Sequence, residues 1–155
     1  MIDTREVTNG ENRVTIEFTA NDQSLNRRDE FLYTLLVPDR ARTLFPCFDQ
    51  PDMKSLFTLS LEVPSSWQAV ANGAIEQVDS TSVTGRRRVY FRETEPLSTY
   101  LFSFVAGKLT RETYSRDGRN ISIYHRETDP KKVAQCSDIA SEVFDALEWQ
   151  EEYTQ

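Results

Sequence analysis

The stretch TLLVPDRARTLFPCFDQPDMK, residues 34–54, is the most informative part of the sequence. It joins two segments with the character of β-strands, Phe31 to Val37 and Phe57 to Val63, the second of which alternates apolar and polar side chains. Pro46 and Pro51 lie five residues apart within it, and each proline fixes the backbone φ angle. The sequence therefore predicts a stiff connection that turns sharply between two strands.

Three charged residues, Arg42, Asp49 and Lys54, stand in an otherwise apolar part of this stretch. A buried charge without a partner is very costly, so any buried member of the set must pair or accept backbone hydrogen bonds. We therefore expect the three to form a network that locks the corner between the two strands. The alternative is a set of exposed charges that interact weakly.

Short strands separated by turns account for the first two-thirds of the chain. Val14, Ile16 and Phe18 alternate with polar residues, which predicts a strand with one buried face. Leu101 to Val105 is almost wholly apolar and is expected to be a central strand. Further strands are predicted at residues 67–71, 75–78, 87–91, 111–114 and 121–124, with turns at Asn72-Gly73, Thr84-Gly85 and Asp117-Gly118.

The periodicity of the sequence changes after His125. Asp129 can cap a helix, Pro130 suits its first turn, and apolar residues then recur at steps of three and four. These apolar residues are Val133, Cys136, Ile139, Ala140, Val143, Phe144 and Leu147. The fold predicted is mainly β, an antiparallel β-sandwich followed by one long C-terminal α-helix of about 22 residues. The helix either completes the core or docks on a part of the protein that this chain does not supply.

The composition indicates a soluble globular chain. Its 155 residues include 18 basic and 25 acidic residues, a net charge of −7 that argues against a nucleic-acid partner. A chain of this length can bury a core without disulfide bonds, so Cys47 and Cys136 are interpreted as reduced structural residues. The sequence has neither a long apolar run nor a basic-then-apolar leader, so we expect no membrane span and no signal peptide. It identifies no compartment.

No recognisable catalytic motif is present in the sequence. His125 is the only histidine, which excludes an HExxH zinc helix and a pair of imidazoles on one metal. Two cysteines cannot form a four-thiolate zinc site, and the five glycines form neither a nucleophile elbow nor a phosphate loop. We expect His125 to be a surface or hydrogen-bonded histidine. The chain is therefore expected to hold no catalytic residue, metal ligand or cofactor.

Residues 34–54 resemble the signature of the N-terminal domain of the aminopeptidase N family of zinc metallopeptidases. FPCFDQPDMK closely matches the family's FPCFDEP followed by a lysine. Ala71-Asn72-Gly73 is similar to its Ser-Asn-Gly turn, and PLSTYL at residues 96–101 is similar to a later strand that continues to Gly107. The blocks lie in the right order over roughly residues 13–107. The matching signature residues are Arg42, Pro46, Cys47, Phe48, Asp49, Pro51 and Lys54.

The resemblance implies a division of labour between two domains. In that family a saddle-shaped β domain packs on a thermolysin-like catalytic domain, which carries the GAMEN and HExxH motifs and the zinc ion. None of these motifs is in this sequence. The resemblance thus implies that residues 1–127 are the β domain and that residues 128–155 are the first helix of a catalytic domain missing here. The parent protein is expected to be a zinc aminopeptidase that acts on peptides, with its own catalytic domain as the partner of this chain.

Two residues just before the signature depart from the family pattern. Many members have a Gln and a further Gln or Glu there, two residues apart, that help to hold the free amine of the substrate. Aligned without gaps, these positions are Leu35 and Val37, which can neither accept a hydrogen bond nor carry charge. The resemblance implies that they could line the pocket for the first substrate residue. The alternative is that they are ordinary strand residues that point away.

Three interpretations of function are therefore considered. The first is a noncatalytic β module of a zinc aminopeptidase, which covers the active-site cleft. The second is a free-standing β-sandwich binding module, and the third is a hydrolase built on a carboxylate pair such as Glu93 and Glu95, residues more typical of a solvent-facing strand. If the chain is a fragment, free sheet edges and an apolar helix stripe are expected to make it self-associate.

Overall fold

In the computed structural model, which describes residues 8–81 and 83–154, nine strands form antiparallel sheets and two helices follow them. The strands are β1 (Leu25–Arg27), β2 (Phe31–Thr34), β3 (Ser60–Pro64), β4 (Gln68–Ala71), β5 (Ile75–Ser80), β6 (Arg86–Phe91), β7 (Phe104–Gly107), β8 (Thr110–Arg116) and β9 (Arg119–His125). The helices are α1 (Pro130–Val133) and α2 (Cys136–Thr154), and short 3-10 helices occupy Ala41–Thr43 and Thr99–Leu101. The predicted mainly β fold with a C-terminal helical segment is confirmed.

The strands are arranged in two main sheets and a separate hairpin. One sheet has four strands in the order β1-β2-β7-β4, the second has three in the order β3-β6-β5, and β8 pairs with β9. The predicted central strand is confirmed as β7, which pairs with β2 on one side and β4 on the other. It begins at Phe104 rather than Leu101, because residues 99–101 form a 3-10 helix.

The two main sheets pack face to face, as in a β-sandwich. One buried cluster joins inward-facing residues of both sheets: Val63, Ala69, Val89, Phe91 and Ala106. A second cluster lies beneath the segment that follows β2 and consists of Leu25, Leu36, Ala41, Leu44 and Phe102. Burial of these side chains removes apolar surface from water and supplies most of the stability of the sandwich.

The helical segment begins where the sequence predicts. The Asp129 carboxylate accepts a hydrogen bond from the backbone N–H of Lys131 at 2.9 Å, and Pro130 is the first residue of α1. A turn at residues 134–135 separates α1 from α2. Only part of the predicted apolar stripe is covered: Cys136, Ala140 and Phe144 are buried, whereas Ile139, Val143 and Leu147 are exposed. Neither helix in the described part of the chain has the length and apolarity required to cross a bilayer.

Other strand predictions also differ from the structure, and the strand predicted at Phe57 to Val63 begins only at Ser60. The strand predicted at Val14, Ile16 and Phe18 is wrong, since these side chains are each more than half exposed and residues 11–20 form no strand. Alternation of apolar and polar residues does not by itself form a strand, because the backbone of a strand must also pair with a neighbouring strand. Residues 8–81 and 83–154 provide no such neighbour for this segment. The strand predicted over Phe31 to Val37 is shorter than expected and ends at Thr34.

The hairpin predicted around Asp117-Gly118 is confirmed. Both residues have positive φ angles, 51° and 77°, as a two-residue turn of the primed type requires. The β8–β9 ladder extends over all seven residues of each strand, from Thr110 opposite His125 to Arg116 opposite Arg119. This hairpin is the surface on which α2 packs.

Candidate functional site

Leu35 and Val37, the predicted pocket residues, lie on the extension of β2 with their side chains accessible. They are 51% and 52% exposed, whereas Thr34 and Leu36, the residues before each of them, are buried. Leu35 directly follows β2, and Val37 is the first residue of the turn at residues 37–40. Because both side chains are half exposed, they point away from the core. They are thus available to a molecule or a domain outside the sandwich.

Apolar side chains of the neighbouring strands continue this surface. Tyr33 of β2 is in register with Val105 of β7, which is in register with Val70 of β4. The ring of Phe31 stacks on that of Tyr33 with centroids 6.2 Å apart. We call this surface the open sheet face and define it by Phe31, Tyr33, Leu35, Val37, Val70 and Val105. The sequence analysis missed four of these residues, because which strands are neighbours depends on the topology of the sheet.

Asn72 closes one end of the open sheet face. Its side-chain amide donates to the backbone oxygen of Leu101 at 3.1 Å, and its side-chain oxygen accepts from the backbone N–H of Ser103 at 2.7 Å. The next residue, Gly73, has no room for a side chain, since a Cβ atom would lie 2.0 Å from the backbone oxygen of Arg92. These contacts explain the residue types at the Asn-Gly turn, which the sequence identified only as a turn.

Asp49 of the signature stretch is a buried carboxylate with its hydrogen bonds satisfied. Its side chain is only 4% exposed and lies 3.8 Å from the guanidinium of Arg42. One carboxylate oxygen accepts from the hydroxyl of Thr99 at 2.7 Å, and the other accepts from the backbone N–H of Arg42 at 3.1 Å. The structure thus brings together Asp49 and Arg42, as expected, and adds Thr99, which the sequence analysis did not identify. That this cluster locks the corner stays a prediction.

Further contacts hold the signature stretch against residues 97–99. The hydroxyl of Ser98 donates to the backbone oxygen of Pro51, and Ser55 forms an antiparallel bridge with Leu97. The signature and the segment PLSTYL therefore lie side by side, although they are distant in sequence. Pro46, which also belongs to the signature stretch, is exposed to solvent.

Lys54 lies apart from Asp49. Its side chain is exposed and makes no ion pair within the residues that the structure describes. Together with Phe48 and Met53 it lines an open cavity of about 560 Å³. Phe48 is 76% exposed, so this part of the signature presents apolar surface to solvent. The expectation that Lys54 joins Arg42 and Asp49 in one network is therefore wrong within the described chain.

Neither cysteine has the character of a nucleophile. Burial raises the pKa of the Cys47 thiol, and the nearby Asp49 carboxylate raises it further, against a smaller opposing effect of Arg42. Cys47 is therefore protonated at neutral pH, and a protonated thiol is a poor nucleophile. Cys136 is buried against the hairpin, and both cysteines are free thiols.

The remaining candidates from the sequence are His125 and the pair Glu93 and Glu95. The Nδ1 atom of His125 accepts from the backbone N–H of Glu127 at 3.2 Å, and its Nε2 atom lies 4.0 Å from a carboxylate oxygen of Glu112. Glu93 and Glu95 are both exposed. Over residues 8–81 and 83–154, no three or more His, Cys, Asp or Glu side chains are close enough together to hold a metal ion.

A cluster of ion pairs around Glu30 connects the open sheet face to the residues on either side of the β8–β9 hairpin. Its two carboxylate oxygens accept from Lys108 at 2.8 Å and from Arg126 at 2.9 Å, and the Arg126 guanidinium lies 4.4 Å from the centre of the Phe31 ring. Lys108 beside Glu30 lowers the pKa of this carboxyl, and Arg126 lowers it further. Glu30 therefore remains ionised at neutral pH and bridges Lys108, just before β8, and Arg126, just after β9.

Comparison with known proteins identifies the stretch that contains these features. A family model described as the peptidase M1 N-terminal domain matches residues 8–101. The probable M1 family aminopeptidase 2 of Encephalitozoon cuniculi is 40% identical over 96 residues, which are 61% of this chain and 11% of that protein. The glutamyl aminopeptidase of Sus scrofa is 31% identical over 112 residues, 72% of this chain and 12% of that protein.

A plant protein gives a similar match. Aminopeptidase M1-A of Oryza sativa subsp. japonica is 35% identical over 92 residues, which are 59% of this chain and 10% of that protein. The chain thus spans about a tenth of the length of these curated relatives. The family match contains the signature stretch and both residues, Leu35 and Val37, that precede it.

Proposed function

The chain belongs to the family of peptidase M1 N-terminal domains, and on this premise we propose that it is the noncatalytic N-terminal domain of a zinc-dependent aminopeptidase. Residues 1–127 would be the β domain, and residues 128–155 would open the catalytic domain. The parent protein would remove N-terminal residues from peptides. The β domain would cover the active-site cleft and line part of the substrate pocket.

The observation that carries this proposal is the open sheet face. A continuous apolar surface on one side of a sheet is unusual for a surface that only meets water, and it commonly marks an interaction site. Leu35 and Val37 are half exposed on it, at the positions that the family uses near its substrate. Covering a cleft with this face would bury the apolar side chains and place these two residues against the substrate.

The charge and apolar pattern of α2 supports a neighbouring catalytic domain. Ile139, Val143 and Leu147 are exposed along one side of the helix, and Trp149 stacks on Tyr153 near its end, with both rings largely exposed. The helix has no Lys or Arg, and three of its six Asp and Glu residues pair with Arg116 and Arg119 of the hairpin. The acidic residues without an ion pair in the described chain are Asp138, Glu142 and Glu152. A surface that fits it is therefore apolar with a basic rim. We propose that the catalytic domain provides this surface.

The chemistry of the reaction would come from outside this chain. No part of the described chain offers a donor set for zinc, so no step that involves the metal is assigned to its residues. Leu35 and Val37 offer van der Waals contact but no hydrogen bond, so their contribution would be to the shape of an apolar pocket. The free amine of a substrate would then need acidic groups of the catalytic domain.

The gene itself provides the first test. We expect the reading frame after the codon for Gln155 to encode GAMEN and HExxH motifs, whereas a stop codon shortly after it would favour a free-standing binding module. The 155-residue chain with added zinc is expected to release no product from aminoacyl chromogenic substrates. The longer protein is expected to do so and to lose this activity with a chelator. Chelator-sensitive turnover by the 155-residue chain would contradict the proposal.

Substitution of a pocket residue in the longer protein tests the role of the open sheet face. Val37→Glu would place a charge in an apolar pocket and is expected to raise KM for a substrate with an apolar first residue about tenfold. Val78→Glu is the matched control, since Val78 is 46% exposed on β5 in the other sheet. An unchanged KM in Val37→Glu, or an equal rise in both variants, would show that this face does not meet the substrate.

A further inference from the structure

Residues 11–19, ENRVTIEFT, have the composition of a β-strand but no strand partner in the described chain. Val14, Ile16 and Phe18 are 58%, 52% and 54% exposed. No backbone–backbone hydrogen bond joins this segment to another part of residues 8–81 or 83–154, although the Asn12 side chain bonds to the backbone of Thr8. β-branched and aromatic residues in alternation favour the pleated, half-buried surface of a sheet. The segment therefore has one apolar face and backbone groups that pair with no other strand among the described residues, which are the two requirements for pairing with another strand.

The sequence of this segment is complementary to itself when two copies run antiparallel. If Thr15 stands opposite Thr15 of the second copy, Arg13 stands opposite Glu17 on one face of the ladder. The symmetry repeats this pair, so one register gives two pairs of opposite charge around a central pair of threonines. Cross-strand pairs of these types each stabilise an antiparallel ladder.

The apolar residues agree with the same register. Val14 stands opposite Ile16 on the other face, and Phe18 lies beside them. Side chains that are now in water would thus pack against one another across the ladder. A parallel arrangement in register would instead place Arg13 beside Arg13 and Glu17 beside Glu17, which is unfavourable.

The exposed side of α2 does not fit a second copy in the same way. Three of its six carboxylates pair with arginines of the hairpin, but Asp138, Glu142 and Glu152 have no ion pair in the described chain, so two such helices would bring like charges together. If the chain associates with itself, residues 11–19 are therefore the better surface. We propose that residues 11–19 of two copies pair as antiparallel strands centred on Thr15. This inference does not depend on the proposed function.

Association through a single short strand is expected to be weak. Sedimentation velocity of the 155-residue chain, from about 10 μM to about 1 mM, is expected to show a reversible monomer–dimer equilibrium. Ile16→Asp is expected to abolish the dimer, whereas Leu147→Asp on α2, a matched change of an exposed apolar residue, is expected to preserve it. A monomer throughout this range, or a dimer lost only in Leu147→Asp, would overturn the inference.

Charge exchange tests the register. Arg13→Glu and Glu17→Arg each place like charges opposite one another at two symmetry-related positions, and each is expected to weaken the dimer about tenfold. The double variant Arg13→Glu with Glu17→Arg restores opposite charges and is expected to regain the original dissociation constant. Additive weakening in the double variant would contradict this register, as would single variants that bind as tightly as the original chain.

Cross-linking tests the position of the symmetry axis. In the proposed ladder, Thr15 is adjacent to its own counterpart, whereas two copies of Thr19 are eight strand positions apart, about 26 Å. Thr15→Cys is therefore expected to form a disulfide-linked dimer under mild oxidation, and Thr19→Cys is not, because a disulfide requires Cα atoms within about 7 Å. The original chain, with Cys47 and Cys136, measures the background. Equal cross-linking of both variants would rule out the proposed pairing.

Discussion

At the scale of single residues, Asp49 makes the most specific contacts of the signature stretch. Its carboxylate is almost fully buried and accepts hydrogen bonds from the Thr99 hydroxyl and the Arg42 backbone N–H. Removal of the carboxylate would leave both donors without this acceptor. We therefore expect Asp49→Ala to lower the free energy of unfolding by about 1–3 kcal/mol, measured from the urea dependence of tryptophan fluorescence.

Asp52 provides the control for this measurement. It lies three residues further along the same stretch, but it is exposed. Asp52→Ala is expected to change the free energy of unfolding by no more than about 0.5 kcal/mol, as is usual for surface residues. If Asp49→Ala had an equally small effect, the buried carboxylate would contribute nothing to the rigidity of the corner.

The sequence predicted part of this arrangement for physical reasons. A charge in an apolar, proline-bounded stretch has to be satisfied, which is why pairing of Asp49 with Arg42 was expected. Thr99 is 50 residues away in the sequence, and its contact with Asp49 exists only because the 3-10 helix at residues 99–101 lies beside the signature. Lys54 was expected to pair for the same reason, because it stands in the same apolar stretch of sequence. Its long side chain instead reaches the surface, where the charge remains in water.

At the scale of elements, Glu30, in the turn between β1 and β2, contacts the open end of the β8–β9 hairpin. Its partners are Lys108, before β8, and Arg126, after β9. Lys108 and Arg126 lower the pKa of Glu30 below its ordinary value of 4.5. Because the folded-state pKa is the lower one, the stabilisation by Glu30 is present above pH 4.5 and is lost as the pH falls through the folded-state pKa. Glu30→Gln is therefore expected to lower the urea midpoint at neutral pH and to have an effect that shrinks as the pH falls below 4.5.

A second substitution separates this effect from general acid destabilisation. Glu76 is an exposed residue of β5, in a sheet that does not include β8 or β9. Glu76→Gln is expected to leave the urea midpoint nearly unchanged at neutral and at acidic pH. A Glu30→Gln effect of the same size at neutral and acidic pH would show that ionisation of Glu30 does not hold the hairpin in place.

Elements were predicted best where local sequence is sufficient to form them. The Asp117-Gly118 hairpin needs only its turn and its neighbouring strand, and the Asp129 cap needs only its own first turn, so both were predicted correctly. Val14 to Phe18 has as clear an alternation as Phe57 to Val63, yet it forms no strand in the described chain, whereas the second stretch forms β3 from Ser60 onward. The difference is the presence of a pairing neighbour, a property of the whole chain that alternation does not contain.

At the scale of the whole molecule, α2 has one covered side and one open side. Phe144 is buried against the hairpin beneath the guanidinium of Arg116, which lies 4.8 Å from the ring centre and also pairs with Asp145 at 2.7 Å. Ile139 is 49% exposed on the other side. The helical periodicity predicted both residues as one stripe. Periodicity alone could not show that Phe144 is buried and Ile139 exposed, because burial depends on which part of the fold packs against the helix.

Alanine substitutions on the two sides of α2 test this division. In the 155-residue chain, Phe144→Ala removes buried aromatic surface and is expected to lower the free energy of unfolding by about 3 kcal/mol. Ile139→Ala is expected to change it by less than about 0.5 kcal/mol, since the side chain is half exposed and alanine favours the helix. Urea unfolding followed by circular dichroism measures both. Equal losses in the two variants would mean that the exposed side is already covered in this chain.

The same substitution in the longer protein connects the helix to the proposed domain partner. If a catalytic domain covers the open side of α2, Ile139 becomes a core residue there, and Ile139→Ala is expected to cost about 2–5 kcal/mol instead of almost nothing. Phe144→Ala serves as the reference, because its environment is the hairpin in both proteins and its cost should not change. A rise for Ile139 alone would locate the domain contact on this side of the helix, and an unchanged small cost would exclude it.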